Sequence, residues 1–445
     1  MMRVHDLLGI GLGPFNLGLA CLAEPLPDLD CVFLDAREEL RWHPGMMLPD
    51  ATLQVPFLAD LVSLADPTSP FSFLAWLKET GRLYPFYVRE SFYPMRAEYD
   101  AYCRWAASRL GDTVALGREV VSVEWDAAAD GGAGAYTVHA RDVRTGATET
   151  RLARRLVLGV GTRPHRPAPL QDLPGPAWHS ADYLAVRDAL LDHDDVTVVG
   201  SGQSAAEIVS DLLASARPDV RLRWVTRSPR FFPLEYTKLT LELTSPEYSR
   251  HFQSLDPARR ERLLASQAGL YKGISSDLVD QIHEQLYRRS LTDAVPPQLV
   301  TSAEVVDAAY DGARFRLGLR HRDTDEDFAL TTGAVVSATG YRAEVPAFLA
   351  PVADRIRWDE QGRFLATPDF TVDVADGGIF VQNAELHTHG FVAPDLGMGA
   401  WRSSVILAKV LGHEPYPVER RVAFQEFGVP AELARPADVP AGVAR

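Results

Sequence analysis

The sequence is poor in cysteine. Only three of its 445 residues are cysteines, Cys21, Cys31 and Cys103, and no two of them form a CxxC pair. An odd number of cysteines with no nearby histidine pair provides neither a disulfide framework nor a zinc site. The composition therefore favours reduced thiols in a cytoplasmic protein and predicts no bound metal.

Basic charge and long apolar runs are also scarce. The 45 Lys and Arg residues against 60 Asp and Glu residues give a net charge of -15. That balance disfavours nucleic acid or an anionic membrane surface as a partner. No stretch reaches the roughly 18 consecutive apolar residues of a membrane span, and an early strand-like run leaves no room for a signal peptide. We expect a cytoplasmic protein.

Two segments share a pattern of short strand, glycine turn and alanine- and leucine-rich helix. They run from Leu7 to Cys21 and from Val196 to Leu213. Glycine lets the backbone approach a pyrophosphate closely, and the next helix presents its unpaired N–H groups to the phosphate oxygens. One such turn is weak evidence, because a tight turn between packed elements looks the same. Two of them, each followed by an apolar strand, predict two dinucleotide-binding units.

The strands that follow the two glycine turns end differently, one at an acidic residue and the other at a basic residue. The first turn supplies Gly9, Gly11, Gly13 and Pro14 as candidate contacts, and its next strand ends on Asp35, which we expect to accept hydrogen bonds from ribose hydroxyls. In the second unit the strand is followed by Arg227, which suits a 2'-phosphate and favours NADPH over NADH. Arg230 is a second candidate, and either arginine is alternatively a solvated surface charge. The second turn supplies Gly200, Ser201, Gly202, Gln203 and Ser204.

The order of elements predicts an α/β fold with two Rossmann-like domains, the second inserted into the first. Buried strands that run into glycine turns at 156–164 and 334–341 mark the two crossings between them. We predict a discontinuous first domain at 1–190 and 332–428, and a second domain at 191–331. The second contains a small helical substrate region at about 235–297, and residues 429–445 form a peripheral tail.

Several ordered blocks resemble the flavin-dependent N-hydroxylating monooxygenases of siderophore biosynthesis, the lysine and ornithine N-hydroxylases. The likeness covers about residues 7–428. Two further blocks, 230–240 and 394–399, are most similar to the diamine hydroxylases of desferrioxamine-type pathways, especially those that act on cadaverine. The blocks that carry the family resemblance are 9–18, Arg41–Met46, Leu53-Gln54 with Phe57-Leu58, 60–62, Asp66–Pro70, Gly200–Ser204, Ala338–Tyr341 and His387–Gly390.

This resemblance implies FAD in the first domain, NADPH in the second, O2 as co-substrate and a homo-tetramer. In the family, NADPH reduces the flavin, O2 adds to it as a hydroperoxide, and the neutral amine of the substrate attacks the distal oxygen. The protein then contributes positioning, electrostatics and exclusion of water, so no catalytic triad is expected.

The resemblance also assigns individual residues. Gln54 positions the flavin or the peroxide through its amide, the alternative being a buried glutamine that satisfies strand backbone. His43 contacts the cofactor or is merely structural. His387 and His389, at the spacing of one strand face, are not expected to bind metal. Further residues implied are Trp42, Val121, Pro394, Asp395 and Leu396 for FAD, Ser275 for NADPH, and Gly273 and Gly397 for substrate.

Two positions bear on the substrate. Amino-acid hydroxylases of the family carry a lysine where this chain has Ala59, and an asparagine where it has Leu241. Both of their contacts to a substrate carboxylate are therefore missing, which favours cadaverine or putrescine with the far ammonium held by Glu242 or Asp60. The alternative is L-lysine N6- or L-ornithine N5-hydroxylation, with Lys238 or Lys272 holding the carboxylate.

Three other functional classes share the two-unit pattern. A flavin disulfide reductase needs a redox cysteine pair, which the sequence lacks. Carbon- or sulfur-oxidising flavin monooxygenases have a linker similar to Gly175–Ser180. A nucleotide sensor binds dinucleotide without turnover.

Overall fold

The computed structural model describes residues 3–430 and residue 433. The strands are β1 (Val4–His5), β2 (Leu7–Ile10), β3 (Cys31–Asp35), β4 (Val114–Leu116), β5 (Arg118–Asp126), β6 (Ala135–Asp142), β7 (Thr148–Ala153), β8 (Leu156–Leu158), β9 (Thr162–Pro164), β10 (Ala177–His179), β11 (Asp195–Val199), β12 (Arg221–Val225), β13 (Gln298–Val300), β14 (Ala303–Tyr310), β15 (Phe315–His321), β16 (Asp327–Thr332), β17 (Ala334–Ser337), β18 (Tyr341–Ala343) and β19 (Ile379–Val381). The helices are α1 (Pro14–Ala23), α2 (Phe73–Glu79), α3 (Leu83–Val88), α4 (Arg96–Arg109), α5 (Tyr183–Leu191), α6 (Gln203–Ser215), α7 (Lys238–Leu241), α8 (Pro246–Ser254), α9 (Pro257–Ser266), α10 (Ala268–Tyr271), α11 (Ser276–Thr292), α12 (Leu386–His389) and α13 (Gly399–Leu411).

The first glycine turn lies in a five-stranded parallel sheet of order β19-β8-β2-β3-β4. Strand β2 is buried along its whole length, and α1 crosses from it to β3 while packing against α13. Fully apolar strands such as Leu7–Ile10 are expected where helices cover a parallel sheet. The predicted βαβ unit is confirmed.

The second glycine turn lies in another five-stranded parallel sheet, of order β10-β17-β11-β12-β13. It confirms the predicted α/β fold, but the predicted domain boundaries at 191 and 331 cut through this sheet. Strands β10 and β17 lie outside those boundaries and pair with each other and, through β17, with β11. The division into domains stays a prediction, because long-range strand pairing leaves no local mark in the sequence.

The two predicted crossings between the units lie side by side. Strands β9 and β18 form a separate antiparallel pair in which Tyr341 is opposite Pro164 and Ala343 is opposite Thr162. The chain therefore leaves and re-enters the first unit through one two-stranded link.

Smaller sheets and helices complete the molecule. The predicted strands near 120–125, 135–140 and 313–319 are observed as β5, β6 and β15, in the sheets β1-β7-β6-β5 and β14-β15-β16. The predicted helical segment at about 235–297 contains α7 to α11. Most of the predicted tail, 429–445, lies outside the described residues.

Among the described residues, no helix combines the length and apolar character needed to cross a bilayer. Cys21, Cys31 and Cys103 are free thiols.

Candidate active site

The first glycine turn leaves the start of helix α1 open. A Cβ atom at Gly9 would lie 2.0 Å from the Phe33 ring, and one at Gly11, where φ is +86°, would lie 2.5 Å from the carbonyl oxygen of Gly159. Only glycine fits these two positions. Gly13 precedes α1 with no side-chain cap and open space at its Cβ position, and Pro14 begins the helix. The first N–H groups of α1 are thus available to a phosphate.

Asp35 is held by Arg37. One carboxylate oxygen accepts from the Leu12 amide at 2.7 Å and from Arg37 Nη2 at 2.7 Å, and the other accepts from Arg37 N and Nε at 2.8 Å each. Burial opposes ionisation of Asp35, but the Arg37 bonds outweigh it and lower the pKa. Asp35 thus accepts four hydrogen bonds from Leu12 and Arg37, and its contact to ribose hydroxyls stays a prediction. Sequence reasoning missed Arg37, which lines one small cavity with Gly13, Pro14 and Trp42.

The second glycine turn is built in the same way. Gly200 has φ of +140°, and a Cβ atom there would lie 2.1 Å from the carbonyl oxygen of Ala338. Gly202 precedes α6 without a side-chain cap, and Ser201 and Ser204 flank it along the turn. This geometry fits a second pyrophosphate at a helix N-terminus.

Arg227 follows β12 and is exposed. Desolvation and the nearby charges of Arg227 and Arg342 lower the pKa of Lys272. Desolvation and the charges of the same two arginines also lower the pKa of His165. Arg227 therefore belongs to a group of three cationic side chains, with His165 beside them, that come from distant segments. Sequence reasoning did not place Lys272, Arg342 and His165 in this group, while Arg230 is exposed three residues further on.

Gln54 lies where the two units meet. Its Nε2 atom donates to Gln203 Oε1 at 3.2 Å and to the Gly273 carbonyl at 3.4 Å. Gln203 Oε1 also accepts from the Ser275 amide at 2.9 Å. Four of the predicted site residues are thus joined in one hydrogen-bond network.

The same network continues into a buried ion pair. Gln203 Nε2 donates to Glu207 Oε1 at 3.0 Å, and Arg96 binds both oxygens of Glu207 at 2.7 and 2.8 Å. Arg96 also donates to the Met46 carbonyl at 2.7 Å. Side-chain exposure is only 12% for Arg96 and 6% for Glu207. Neither residue was a sequence-based candidate, because their pairing joins α4 to α6 across 111 positions.

Trp42 and His43 form an aromatic edge beside the network. The Trp42 amide donates to Asp100 at 2.7 Å, and His43 adopts a left-handed conformation with φ of 49°. The His43 ring is edge-on to Trp42 at 5.0 Å and to Tyr341 at 5.6 Å. Desolvation, helped by repulsion from nearby arginines, lowers the pKa of His43 to about 4. Its imidazole is neutral at pH 7.

Val121 lies on another sheet. It is exposed at an irregularity of β5 between Val120 and Ser122. Strand β5 packs beside β3, which carries Asp35 at its end. The structure thus leaves Val121 accessible on the side of the first unit.

The turn at residues 394–398 brings Asp395 next to the predicted substrate residues. Asp395 Oδ1 accepts from the Gly397 amide at 2.7 Å, and the Thr244 hydroxyl donates to Oδ2 at 3.5 Å. A Cβ atom at Gly397 would lie 3.1 Å from Asp395 Oδ1 and 3.9 Å from Ala59 Cβ. Pro394 is exposed, and Leu396 packs on the core of the first unit.

The acids expected to hold a far ammonium are engaged elsewhere. Glu242 Oε2 accepts from the Gln425 amide and side chain at 3.0 Å each, and Leu241 beside it is 37% exposed. Asp60 accepts from the amides of Val62, Ser63 and Phe73 inside the core. Glu242 thus binds the C-terminal segment through one oxygen, and Asp60 organises its own loop, while their role in binding the substrate stays a prediction.

A buried polar cluster supports the 394–398 turn from behind. Arg402 lies 3.1 Å from Glu385, donates to the Ala393 carbonyl at 2.7 Å, and is almost fully buried. His389 stacks on Phe370 at 4.5 Å, and burial strongly lowers its pKa. His387 and His389 lie on helix α12, not on a strand as expected. In the described part of the chain, no group of three or more His, Cys, Asp or Glu side chains is arranged to hold a metal ion.

Comparisons with known proteins agree with this architecture. The profile of the L-lysine 6-monooxygenase/L-ornithine 5-monooxygenase family matches residues 3–343. A putrescine N-hydroxylase from Shewanella oneidensis is 46% identical over 436 residues, covering 97% of this chain and 85% of that protein. An L-lysine N6-monooxygenase from Escherichia coli is 31% identical over 93% of this chain and 96% of that protein.

Solved structures show the same likeness. The FAD-bound cadaverine monooxygenase of the desferrioxamine pathway from Erwinia amylovora has a TM-score of 0.93 and 47% identity, covering 97% of this chain and all of that one. An ornithine N-hydroxylase from Kutzneria, solved with reduced FAD, NADP+ and L-ornithine, has a TM-score of 0.84 and 29% identity over 92% of this chain and 99% of that one. With its two glycine turns, their shared Gln54 network and these relatives, the chain belongs to the L-lysine 6-monooxygenase/L-ornithine 5-monooxygenase family of flavin-dependent N-hydroxylases.

Proposed function

We propose that this enzyme uses FAD, NADPH and O2 to hydroxylate one terminal amine of a small aliphatic diamine, cadaverine or putrescine, for hydroxamate siderophore biosynthesis. The observation that carries the substrate class is Ala59. This buried alanine lies beside Gly397, where the amino-acid hydroxylases it resembles present a lysine to the substrate carboxylate. A carboxylate enclosed without its cation would be disfavoured by several kcal/mol, on the order of 3. The relatives named for putrescine and cadaverine support the same class.

The first parallel sheet is the proposed FAD unit and the second is the proposed NADPH unit. Bound FAD supplies the redox chemistry, accepting hydride from NADPH and activating O2. Gly9, Gly11, Gly13 and Pro14 receive the FAD pyrophosphate at the start of α1. Including β10 and β17, the NADPH unit runs from about 165 to 343, and the FAD unit comprises the segments on either side of it.

The cationic group around Arg227 is the proposed site for the 2'-phosphate of NADPH. Desolvation and the nearby positive charges of Arg227 and Arg342 lower the pKa of Lys272. A phosphate of charge near -2 would relieve that repulsion. Ser201 to Ser204 would then line the pyrophosphate.

The protein's own part in the reaction is positioning. Gln54, fixed by Gln203 and Gly273, holds its amide where both units meet. The neutral His43 ring provides a surface without charge next to Trp42. Because an alkyl ammonium has a pKa near roughly 10.4 and only the neutral amine is a nucleophile, desolvation of the bound amine must favour loss of its proton.

One assay tests the proposal. Purified protein incubated with FAD is expected to be yellow, to oxidise NADPH, and to form a hydroxylamine with cadaverine or putrescine. L-Lysine, L-ornithine and a cyclic ketone are compared in the same assay. Protein that takes up no flavin contradicts the cofactor assignment, and higher kcat/KM for L-lysine or L-ornithine contradicts the diamine assignment.

We also propose that the protein is a homo-oligomer, a tetramer as in the family, and that it works in the cytoplasm. The exposed apolar residues of α3 and of the segment after it support the proposed oligomer. Tyr84, Tyr87, Val88 and Phe92 are each at least two-thirds exposed, with values of 76, 75, 72 and 67%. Large apolar groups clustered in this way mark interfaces between chains. Light scattering after gel filtration would show a tetramer, and Tyr87→Glu would shift it to smaller species.

A further inference from the structure

We propose that Asp395 binds the second ammonium group of the diamine and so sets the preference for a substrate without a carboxylate. This inference rests on the proposed function, diamine N-hydroxylation, and names the residue that recognises the end of the substrate that does not react.

The position of Asp395 suits this role. It begins the short turn Leu396–Met398, and its carboxylate lies between the Gly397 amide and the Thr244 hydroxyl. Through Gly397 it is next to Ala59, since a Cβ atom at Gly397 would lie within 4 Å of both side chains. An acid therefore stands where the lysine of amino-acid hydroxylases would meet a carboxylate, and the charge of the pocket is inverted.

The carboxylate of Asp395 has unused capacity. It accepts one amide N–H and one hydroxyl, whereas a carboxylate offers about four acceptor positions. None of the ion pairs among residues 3–430 includes Asp395, and the nearby Arg402 is committed to Glu385 and the Ala393 carbonyl. Burial raises the pKa of Asp395, and the Gly397 and Thr244 bonds and the more distant charge of Arg402 oppose that rise. An ammonium group would supply the missing counter-charge.

Aromatic rings stand beside this acid. Tyr236 and Tyr93 are in edge contact with centroids 6.2 Å apart. Desolvation, the bond to Tyr93 and the negative charge of Asp395 together raise the pKa of Tyr236, so Asp395 lies within electrostatic range of Tyr236. Tyrosine rings next to a carboxylate favour an alkylammonium over an anionic group.

The test compares diamines with monoamines of equal chain length. Wild-type enzyme and Asp395→Asn are assayed for hydroxylamine formation with cadaverine and pentylamine, and with putrescine and butylamine. Asparagine keeps the acceptor for the Gly397 amide but loses the charge. We expect the diamine-to-monoamine ratio of kcat/KM to fall about 10- to 100-fold, mainly through KM for the diamine.

The other outcomes separate the claims. An unchanged diamine-to-monoamine ratio of kcat/KM in Asp395→Asn with full flavin content overturns the inference. A ratio that falls in Glu242→Gln and not in Asp395→Asn also overturns it. Wild-type enzyme that hydroxylates both amines of a pair equally well also overturns it. If no amine is hydroxylated by the wild type, the proposed function itself fails.

A second variant, Asp395→Glu, tests the inference if Asp395→Asn loses its flavin. Asp395→Glu keeps the charge and extends it by one methylene, so it is expected to retain the diamine preference and to shift it from cadaverine toward putrescine. An unaltered preference for chain length in Asp395→Glu counts against the role of Asp395.

Discussion

The side-chain amide of Gln54 donates to Gln203 Oε1 across 3.2 Å, and so links a loop of the first unit to the first turn of helix α6. Because Gln203 also accepts from the Ser275 amide, this contact fixes three segments that are distant in sequence. Each side chain here orients the next.

Removing the Gln54 amide is expected to weaken hydroxylation more than NADPH oxidation. In Gln54→Ala one hydrogen-bond partner of Gln203 is lost, which corresponds to about 1 kcal/mol or a several-fold effect. Hydroxylamine formed per NADPH consumed is the measurement, and hydrogen peroxide accounts for the remainder. Gln361→Ala, at an exposed loop glutamine, is the matched control. Equal coupling in both variants contradicts a positioning role for Gln54.

Breaking the ion pair between Arg96 and Glu207 is expected to destabilise the protein strongly. Glu207→Gln leaves a buried guanidinium without its counter-charge, at a cost of about 3 to 5 kcal/mol in the free energy of unfolding. Asp327→Asn breaks the ion pair between Arg320 and Asp327, whose side chains are 52 and 64% exposed, and should leave that free energy nearly unchanged. Urea denaturation of both variants measures the difference, and similar midpoints refute the prediction.

Replacing Arg227 is expected to change the choice of nicotinamide cofactor. Arg227→Ser should raise KM for NADPH about 10- to 100-fold and leave KM for NADH nearly unchanged, because only NADPH carries the 2'-phosphate. Arg230→Ser is the comparison. A larger effect in Arg230→Ser would move the phosphate site to that residue.

His43 is expected to make stability depend on pH. Its pKa is about 4 in the folded protein, below the ordinary 6.5, so the unfolded chain binds a proton more readily. The folded state therefore has full stability from this group above pH 6.5 and loses it as the pH falls from 6.5 toward 4. As the pH falls from 6.5 toward 4, the denaturation midpoint of His43→Asn should therefore fall less than that of the wild type. An identical pH dependence in the variant and the wild type excludes His43 as a source.

The glycine turns could be predicted because their requirements are local. At Gly11 and Gly200 neighbouring backbone leaves no room for a side chain, and at Gly9 the Phe33 ring fills that space. These requirements show in the sequence as a spacing. The boundaries of the second unit could not be predicted in this way. Strand β17 joins that sheet by pairing with β11, and β10 by pairing with β17, and each is only a short segment when taken alone.

The site residues also differ in whether their roles depend on local sequence or on contacts between distant segments. Asp35 was found by its place at a strand end, but its saturation by Arg37 depends on a side-chain conformation. The grouping of Lys272 and Arg342 with Arg227 requires three segments to fold together. Glu242 has the right charge, and only the packing of the C-terminal segment shows that it binds Gln425.

The paired strands β9 and β18 also tie the two units together. Because both chain crossings belong to one hydrogen-bonded ladder, the units cannot separate without breaking its bonds. The buried ion pair between Arg96 and Glu207 is a second tie, formed by side chains of α4 and α6. The two units are thus joined both by backbone hydrogen bonds and by a buried pair of charges.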